Sequence, residues 1–288
     1  MRKIAFTKMH GAGNDYIYID LYRASLDFDP ADLARKMSPR HFSVGGDGVV
    51  LILPSDVADA RMRMFNLDGS EGRMCGNAIR CVAKYLSDHG LTTKDTITVE
   101  TLSGIKTLRL YKEKGVVTLV SVDMGRAVFT PAEIPVIYDG AEMVESPLAV
   151  LGEAVKMTAV SMGNPHAVIF TQGVDDIDLA KIGPTYEHLP IFPERVNTEF
   201  VEVIDTHTLK MRVWERGSGE TYACGTGACA TVAAAVKTGR VPMGEAITVR
   251  LIGGDLTITV DDDYRVTMTG GATEVYQGVY VYDEDQGQ

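Results

Sequence analysis

The chain has 288 residues, of which 45% are apolar and 23% charged, with a formal net charge of −11. This acidity disfavours anionic partners, so we expect neither a nucleic-acid surface nor a membrane surface. No apolar run reaches 18 residues and no signal-peptide core follows Met1, which predicts a cytoplasmic protein.

The first half of the chain is predicted to consist of short strands, two helices and glycine-rich loops. A surface helix over residues 30–37 has proline at its start, and a second helix over residues 78–86 ends at His89-Gly90. Glycine-rich loops are predicted over residues 9–15 and 45–48. Strands are predicted at residues 4–8, 16–20, 49–53, 60–66, 96–102, 105–111 and 116–122.

The second half repeats this plan after a predicted crossover at residues 125–135. The run over residues 230–236 has almost no polar face, so we expect a helix that is buried on all sides. The chain end, residues 286–288, is expected to be frayed. Strands are predicted at residues 154–161, 167–170, 198–205, 208–215, 246–251, 256–260, 265–269 and 272–282.

Several pieces of the two halves match at nearly one offset. Cys75 and Cys224, which precede the two long helices, are 149 positions apart, and so are Gly90 and Gly239, which follow them. Further matches lie at an offset of 150: Gly13-Asn14 with Gly163-Asn164, and Gly104 with Gly254. Ordered matches of this kind indicate an internal duplication. With many short strands and one buried helix per half, they predict a mixed α/β (α+β) fold of two pseudo-symmetric domains, each a curved sheet or barrel around a central helix.

Cys75 and Cys224 are predicted to lie at helix N-termini, where free N–H groups and the helix dipole favour a thiolate. We therefore expect a lowered cysteine pKa and a sulfur that can act as a base or nucleophile. Cys81 and Cys229 fall inside the helices and are predicted to be small buried residues. The cysteine spacings are not those of close zinc-binding pairs, and disulfides are improbable in a reducing compartment.

Taken together, these residues resemble the diaminopimelate epimerase family. The matching segments are Lys8-Met9-His10-Gly11-Ala12-Gly13-Asn14-Asp15, Phe65-Asn66, Asp68-Gly69-Ser70-Glu71, Cys75-Gly76-Asn77, Ser161-Met162-Gly163-Asn164-Pro165-His166, Pro193-Glu194-Arg195-Val196-Asn197, Glu215-Arg216-Gly217, Glu220-Thr221 and Ala223-Cys224-Gly225-Thr226-Gly227. The resemblance implies cofactor-free, metal-free epimerisation of LL-2,6-diaminopimelate to the meso form, in lysine and peptidoglycan precursor biosynthesis. It also implies a homodimer.

The same resemblance implies domain limits and residue roles. The last strand joins the first half, giving domains 1–124 with 272–288 and 125–271, with the active site in the cleft between them. One of Cys75 and Cys224 removes the α-proton as thiolate, and the other returns a proton as thiol. His166 and Glu215 tune these protonation states. The implied substrate-binding residues are Asn14, Asn66, Gly76, Asn77, Asn164, Asn197, Glu215, Arg216, Gly225 and Thr226.

Other interpretations stay open on the residues alone. A proline or hydroxyproline racemase would use the same two-thiol chemistry, although Arg216 and the asparagines argue against a small cyclic substrate. A thiol-redox or metal-binding protein and a cysteine hydrolase are further alternatives, but neither explains a second cysteine at a helix start. His166 could be structural, because Asn164-Pro165 favours a turn. Gly48 stands where some family members have a substrate-contacting glutamine, so it is not among the expected ligands.

Overall fold

The computed structural model describes residues 2–24 and 27–283. The predicted fraying of residues 286–288 concerns a segment outside the described residues. The chain forms two compact units, Met1–Val122 with Gly270–Gln288, and Asp123–Thr269. Among the described residues, no helix has the length and apolar character needed to cross a membrane.

The elements of the first unit follow the predicted order, with small differences at their ends. They are β1 (Arg2–Gly11), β2 (Asn14–Asp20), α1 (Pro30–Met37), β3 (Gly48–Leu53), β4 (Ala60–Asn66), β5 (Glu71–Gly72), α2 (Gly76–Asp88), β6 (Thr96–Thr101), β7 (Gly104–Glu113), β8 (Val116–Arg126) and, from the end of the chain, β18 (Thr273–Tyr282). The predicted strands and both helices are confirmed, whereas the two-residue strand β5 was not predicted.

The turn predicted over residues 9–15 is wrong in length. The strands β1 and β2 continue up to the pair Gly11 and Asn14, so only Ala12 and Gly13 form the turn. Both turn residues have positive φ, 52° for Ala12 and 79° for Gly13. Two-residue hairpin turns with positive φ at both positions match the twist of the strands, and glycine adopts this conformation without steric cost. The tight turn brings Asn14 to the very start of β2.

The sheet of the first unit curves around α2. Its strands pair in the order β18, β1, β2, β3, β4, β6, β7 and β8, with β2–β3 and β4–β6 parallel and the other pairs antiparallel. The helix α2 packs against β18, β1 and β2 at one end of this order and against β7 near the other end. All residues from Gly76 to Leu86 are buried. A sheet that contacts one helix from both of its ends is the curved sheet around a central helix that the sequence predicts.

The second unit contains three elements that the sequence analysis missed: one helix, one strand of ordinary length and one two-residue strand. Its elements are β9 (Ser146–Val150), β10 (Glu153–Ser161), β11 (Pro165–Phe170), α3 (Leu179–Glu187), β12 (Asn197–Asp205), β13 (Thr208–Glu215), β14 (Gly219–Glu220), α4 (Gly225–Lys237), β15 (Ile247–Leu251), β16 (Gly254–Val260) and β17 (Arg265–Gly271). The missed elements are β9, α3 and β14. Proline inside a helix normally argues against it, and Pro184 lies inside α3. The internal duplication could have predicted α3, because this helix begins 149 positions after α1, which is the same offset that separates the two cysteines.

The strand pairing of the second unit repeats that of the first. The strands pair in the order β9, β10, β11, β12, β13, β15, β16 and β17, with β11–β12 and β13–β15 parallel and the others antiparallel. The helix α4 packs against β10, β11, β12, β15 and β16 and is buried from Gly227 to Ala235. The predicted burial of this helix on all sides is therefore confirmed.

Candidate active site

Cys75 is the N-cap residue of α2. Its backbone is extended, with φ −134° and ψ 122°, and its Sγ accepts a hydrogen bond from the backbone N–H of Ala78 at 3.5 Å. The sulfur is half-buried, whereas Cys81 inside the helix is fully buried. The predicted position of Cys75 at a helix start is confirmed. Gly76 and Asn77, the first helical residues, contribute first-turn N–H groups, which have no intrahelical acceptor.

Asn14 presents its amide oxygen to the sulfur of Cys75. The thiol donates to Asn14 Oδ1 at 3.2 Å, and Asn14 Nδ2 donates to Asp47 Oδ2 at 2.6 Å. Since the carboxylate of Asp47 holds the amide nitrogen, the oxygen must face the sulfur, and an acceptor there favours the thiol form. The sequence analysis missed Asp47. Its signal was a carboxylate within a glycine-rich loop.

The carboxylate of Asp47 belongs to a network of charges at the start of β2 and β3. Arg40 Nη2 lies 2.7 Å from carboxylate oxygens of both Asp15 and Asp47, and Lys8 Nζ lies 2.6 Å from Asp15. Burial and the charge of Asp15 raise the pKa of Asp47. Burial also acts to raise the pKa of Asp15, but the hydrogen bonds from Arg40 and Lys8 outweigh it and lower that pKa. The network holds the loop before β3 against β2.

Three further positions of the first unit bear on substrate contacts. A Cβ at Gly48 would lie 2.0 Å from the carbonyl oxygen of Phe65, so the close approach of β4 requires glycine here. Asn66 lies at the end of β4, and its Nδ2 donates to Ser70 Oγ at 3.0 Å. The side chain of Asn77 is buried and accepts from Arg80 Nη2 at 3.0 Å. Because its side chain is buried against Arg80, Asn77 is expected to contact the substrate through its backbone N–H.

Cys224 is the N-cap residue of α4, as predicted, but its surroundings differ from those of Cys75. Its side chain is buried, and its Sγ accepts from the backbone N–H of Gly227 at 3.3 Å. Burial raises the pKa of the Cys224 thiol well above its usual range, and the carboxylates of Glu215 and Glu199 raise it further. Hydrogen bonds from Thr226 and Gly227 offset part of this effect. The predicted lowering of the cysteine pKa is therefore wrong for Cys224, because burial and two carboxylates outweigh the helix N-terminus.

A chain of hydrogen bonds connects Cys224 to a buried carboxyl group. Sγ of Cys224 lies 3.5 Å from Thr226 Oγ1, which accepts from Asn164 Nδ2 at 3.3 Å. His166 Nε2 lies 3.0 Å from Asn164 Oδ1, and His166 Nδ1 lies 2.7 Å from Glu199 Oε1. The structure thus brings together four residues named from the sequence, Cys224, Thr226, Asn164 and His166. It adds Glu199, which the sequence analysis missed and which lies on β12 two residues after Asn197.

Glu215, Asn197 and Arg216 lie at the ends of β12 and β13. Asn197 Nδ2 donates to the carbonyl of Pro165 at 2.8 Å, and Asn197 Oδ1 accepts from the backbone N–H of Arg216 at 2.9 Å. The guanidinium of Arg216 donates to the carbonyl of Glu194 at 2.9 Å. The carboxylate of Glu215 accepts from the hydroxyl of Thr221. Asn197 therefore ties strand ends together in this structure, and its role as a substrate ligand stays a prediction.

Each unit thus offers one sulfur at a helix N-terminus, together with first-turn N–H groups; in α4 these begin at Gly225. Thiols and thiolates can transfer protons, and helix N-termini bind carboxylates. Within the described parts of the chain, no group of three or more His, Cys, Asp or Glu side chains is arranged to hold a metal ion.

Comparison with known sequences gives one consistent result. The profile of the diaminopimelate epimerase family matches residues 6–130 and 158–275. The chain is 55% identical over 284 residues to the diaminopimelate epimerase of Desulfovibrio desulfuricans, covering 96% of this chain and 98% of that protein. It is 53% identical over 274 residues to the diaminopimelate epimerase of Methanococcus maripaludis, covering 95% of this chain and 98% of that protein.

Comparison with solved structures concerns the fold alone, because the sequence identity is low. A phenazine biosynthesis protein of the PhzF family from Bacillus anthracis has a TM-score of 0.71 at 17% identity, covering 98% of this chain and all of that one (100%). A hydroxyproline epimerase from Agrobacterium vitis, with bound trans-4-hydroxy-L-proline, has a TM-score of 0.71 at 17% identity, covering 99% of this chain and 93% of that one. These neighbours confirm the predicted fold class.

Proposed function

The chain belongs to the diaminopimelate epimerase family, and we propose that it interconverts LL-2,6-diaminopimelate and meso-diaminopimelate without a cofactor. The observation that carries this proposal is the recurrence of a cysteine as N-cap of the central helix in both halves, Cys75 on α2 and Cys224 on α4. The product serves lysine and peptidoglycan precursor biosynthesis.

The proposed chemistry is the exchange of one α-proton by two thiols. One sulfur removes the proton as thiolate, and the other, as thiol, returns a proton to the opposite face of the carbon. The negative charge that develops on the substrate is stabilised by first-turn N–H groups that bind the α-carboxylate, from Gly76 and Asn77 on α2 and from Gly225 and Thr226 on α4. Without an electron sink such as a cofactor, this stabilisation has to come from the protein.

The remaining predicted residues are proposed to recognise the substrate or to tune the thiols. Arg216 has the planar geometry for bidentate capture of the distal carboxylate, and the amides can serve both the amine and the carboxylate. His166 and Glu215 tune the protonation of the cysteines, which is supported by the charge of Glu215 raising the pKa of Cys224. The amides proposed as ligands are those of Asn14, Asn66, Asn164 and Asn197.

The proposal is tested by incubating the purified chain with LL-diaminopimelate in heavy water and no added cofactor. We expect meso product that carries deuterium at the inverted α-carbon, because the returned proton comes from solvent-exchanged thiol. Cys75→Ala and Cys224→Ala should each abolish turnover, while Cys81→Ala and Cys229→Ala, buried in the same helices, should retain it. A parallel incubation with proline provides the alternative outcome. If diaminopimelate stays unchanged and proline takes up deuterium at its α-carbon, the result would instead support a proline racemase.

We also propose that the chain is a cytoplasmic homodimer. Four apolar side chains of β18 are about half exposed: Val275 (54%), Tyr276 (44%), Val279 (61%) and Val281 (52%). A row of this kind on one strand supports burial against a second copy. Sedimentation velocity at assay concentration should give the mass of two chains, and a single monomeric species would contradict the dimer.

A further inference from the structure

The proposed reaction makes no use of Glu199, although this residue ends the hydrogen-bonded chain that starts at Cys224. Glu199 and His166 are both completely buried, at 0% exposure. Oε1 of Glu199 lies 2.7 Å from His166 Nδ1, whereas Oε2 has no hydrogen-bond partner among the described residues. An ionised carboxylate with one unsatisfied oxygen is costly in a buried site, so this group has a reason to hold a proton.

The groups that face Glu199 come from three elements. They are His166 on β11, Glu215 at the end of β13 and Cys224 at the start of α4. Burial raises the pKa of Glu199, His166 opposes this shift, and the charge of Glu215 adds to it. Two carboxyl groups and a thiol thus lie close enough to interact electrostatically, and one imidazole pairs with Glu199, which favours states with few negative charges.

Gly227 allows Glu199 and Cys224 to approach the first turn of α4 together. A Cβ at residue 227 would lie 2.7 Å from Glu199 Oε1 and 3.3 Å from Cys224 Sγ. A side chain at this position would therefore displace one of the two groups. The charge of the carboxyl group can act on the sulfur because no side chain separates them.

The hydrogen-bonded chain has two consistent directions. If Glu199 is protonated, it donates to His166 Nδ1, and the donors then run through His166 Nε2–H, the Asn164 amide and the Thr226 hydroxyl toward the sulfur. That direction stabilises a thiolate. If Glu199 is ionised and His166 neutral, Nδ1–H donates to Glu199, the Asn164 amide turns over, and the thiol of Cys224 donates to Thr226. One proton is conserved, on Glu199 in the first state and on Cys224 in the second.

The first unit has no counterpart of this acid. On β12, Glu199 pairs with Val168 of β11, and at the equivalent register of the first unit Val50 on β3 pairs with Tyr18 of β2. The acid is therefore specific to the half that contains Cys224. Duplication supplied the framework, and at this register position only the half that contains Cys224 has a carboxyl group.

We propose that Glu199 is a positioning residue that sets the direction of this hydrogen-bonded chain through His166 and thereby selects the thiol or thiolate form of Cys224. The consequence for turnover rests on the proposed epimerase function. The effect on the Cys224 thiol does not, and can be measured without turnover.

Glu199→Gln tests the proposal, because the amide of glutamine donates permanently to His166 Nδ1 and carries no charge. We expect the pH midpoint of Cys224 alkylation by iodoacetamide, followed by peptide mass spectrometry, to fall by about one pH unit. Below the midpoint, alkylation should then be about tenfold faster. The matched control is Glu202→Gln on the same strand, whose carboxylate accepts from the backbone N–H of Val174 instead. Equal midpoints in wild type, Glu199→Gln and Glu202→Gln would overturn the proposal.

A second measurement uses the wild-type chain and does not depend on the stability of a variant. Nitrogen NMR of His166 should show a change from the Nε2–H to the Nδ1–H tautomer as Cys224 changes from thiolate to thiol. A single tautomer across the Cys224 midpoint would contradict the proposal. A chain that shows both effects but no epimerase activity would refute the proposed function alone, and an active chain with neither effect would refute only the role of Glu199.

Discussion

Cys75 and Cys224 occupy equivalent helix starts but have different neighbours. Cys75 is half-buried and faces the amide oxygen of Asn14, which is an acceptor. Cys224 is buried, lies near two carboxyl groups, accepts from the backbone N–H of Gly227 and lies within hydrogen-bond distance of the Thr226 hydroxyl. Because a thiol donates and a thiolate accepts, these neighbours decide the protonation of each sulfur more directly than the helix dipole does.

Asp47, which accepts a hydrogen bond from the Asn14 amide nitrogen, gives a first prediction. Asp47→Asn removes the charge that holds the Asn14 amide nitrogen, so the amide oxygen is no longer directed at Cys75. We expect kcat/KM to fall about tenfold, equivalent to about 1.4 kcal/mol, which is the size of one hydrogen bond to a charged group. Steady-state epimerase assays provide the measurement, with Asp56→Asn, an exposed aspartate of the same unit, as control. Unchanged kcat/KM in Asp47→Asn would show that the amide is held by other means.

The pH dependence of stability gives a second prediction, for Asp15. Its pKa is lowered in the folded chain, because hydrogen bonds from Arg40 and Lys8 outweigh burial. Ionised Asp15 therefore stabilises the fold above its ordinary pKa of 3.8, and this contribution is lost as the pH falls through the lower folded value. Asp15→Asn should reduce the free energy of unfolding by about 1–3 kcal/mol at neutral pH.

Urea unfolding of both proteins across a pH series measures this effect. The difference between wild type and Asp15→Asn should shrink as the pH falls below 3.8 toward the lowered pKa at which the folded wild-type carboxyl becomes protonated. A difference that stays constant across the series would mean that the ionised form is not what stabilises the fold.

At the scale of one element, the first turn of α4 is built around a glycine. Gly227 donates its N–H to Cys224 and leaves room for Glu199 Oε1, 2.7 Å from where its Cβ would stand. Alanine normally favours a helix over glycine by about 0.5–1 kcal/mol, but overpacking a buried site costs about 1–3 kcal/mol. The unfavourable contact should therefore dominate.

Gly227→Ala should accordingly lower the melting temperature and reduce epimerase activity at least tenfold, because Glu199 or Cys224 has to move. Thermal unfolding followed by circular dichroism and steady-state kinetics measure the two effects. Gly271→Ala is the matched control, since a Cβ there would meet nothing closer than 3.8 Å. A fully active and more stable Gly227→Ala chain would contradict this account of the turn.

At the scale of the whole molecule, the end of the chain completes the first unit. The strand β18 pairs with β1 from Arg2 to His10, and the hydroxyl of Tyr282 donates to Asp32 on α1 at 2.6 Å. Removing residues 273–288 would expose one edge of β1 and one side of α2, which packs against β18. No other described strand of the first unit would then cover this edge of β1 or this side of α2.

We expect this truncation to abolish activity and to reduce amide-exchange protection in β1 on the order of a hundredfold. Peptide-resolved hydrogen exchange measures the protection of the strand. Removal of residues 284–288 alone, which leaves all of β18, serves as control and should leave β1 protected. Equal protection of β1 in both truncated chains would show that β18 is dispensable for the first unit.

Local sequence signals were enough for the helix starts at Cys75 and Cys224, most of the strands and the duplication, because capping, periodicity and repeats depend on neighbours in the chain. The contacts of Asn14 with Asp47 and of His166 with Glu199 join residues 33 positions apart on paired or adjoining strands. Their partners follow from strand register, which no local pattern contains. The raised pKa of Cys224 has the same origin, since burial and nearby carboxylates exist only once distant strands surround the helix.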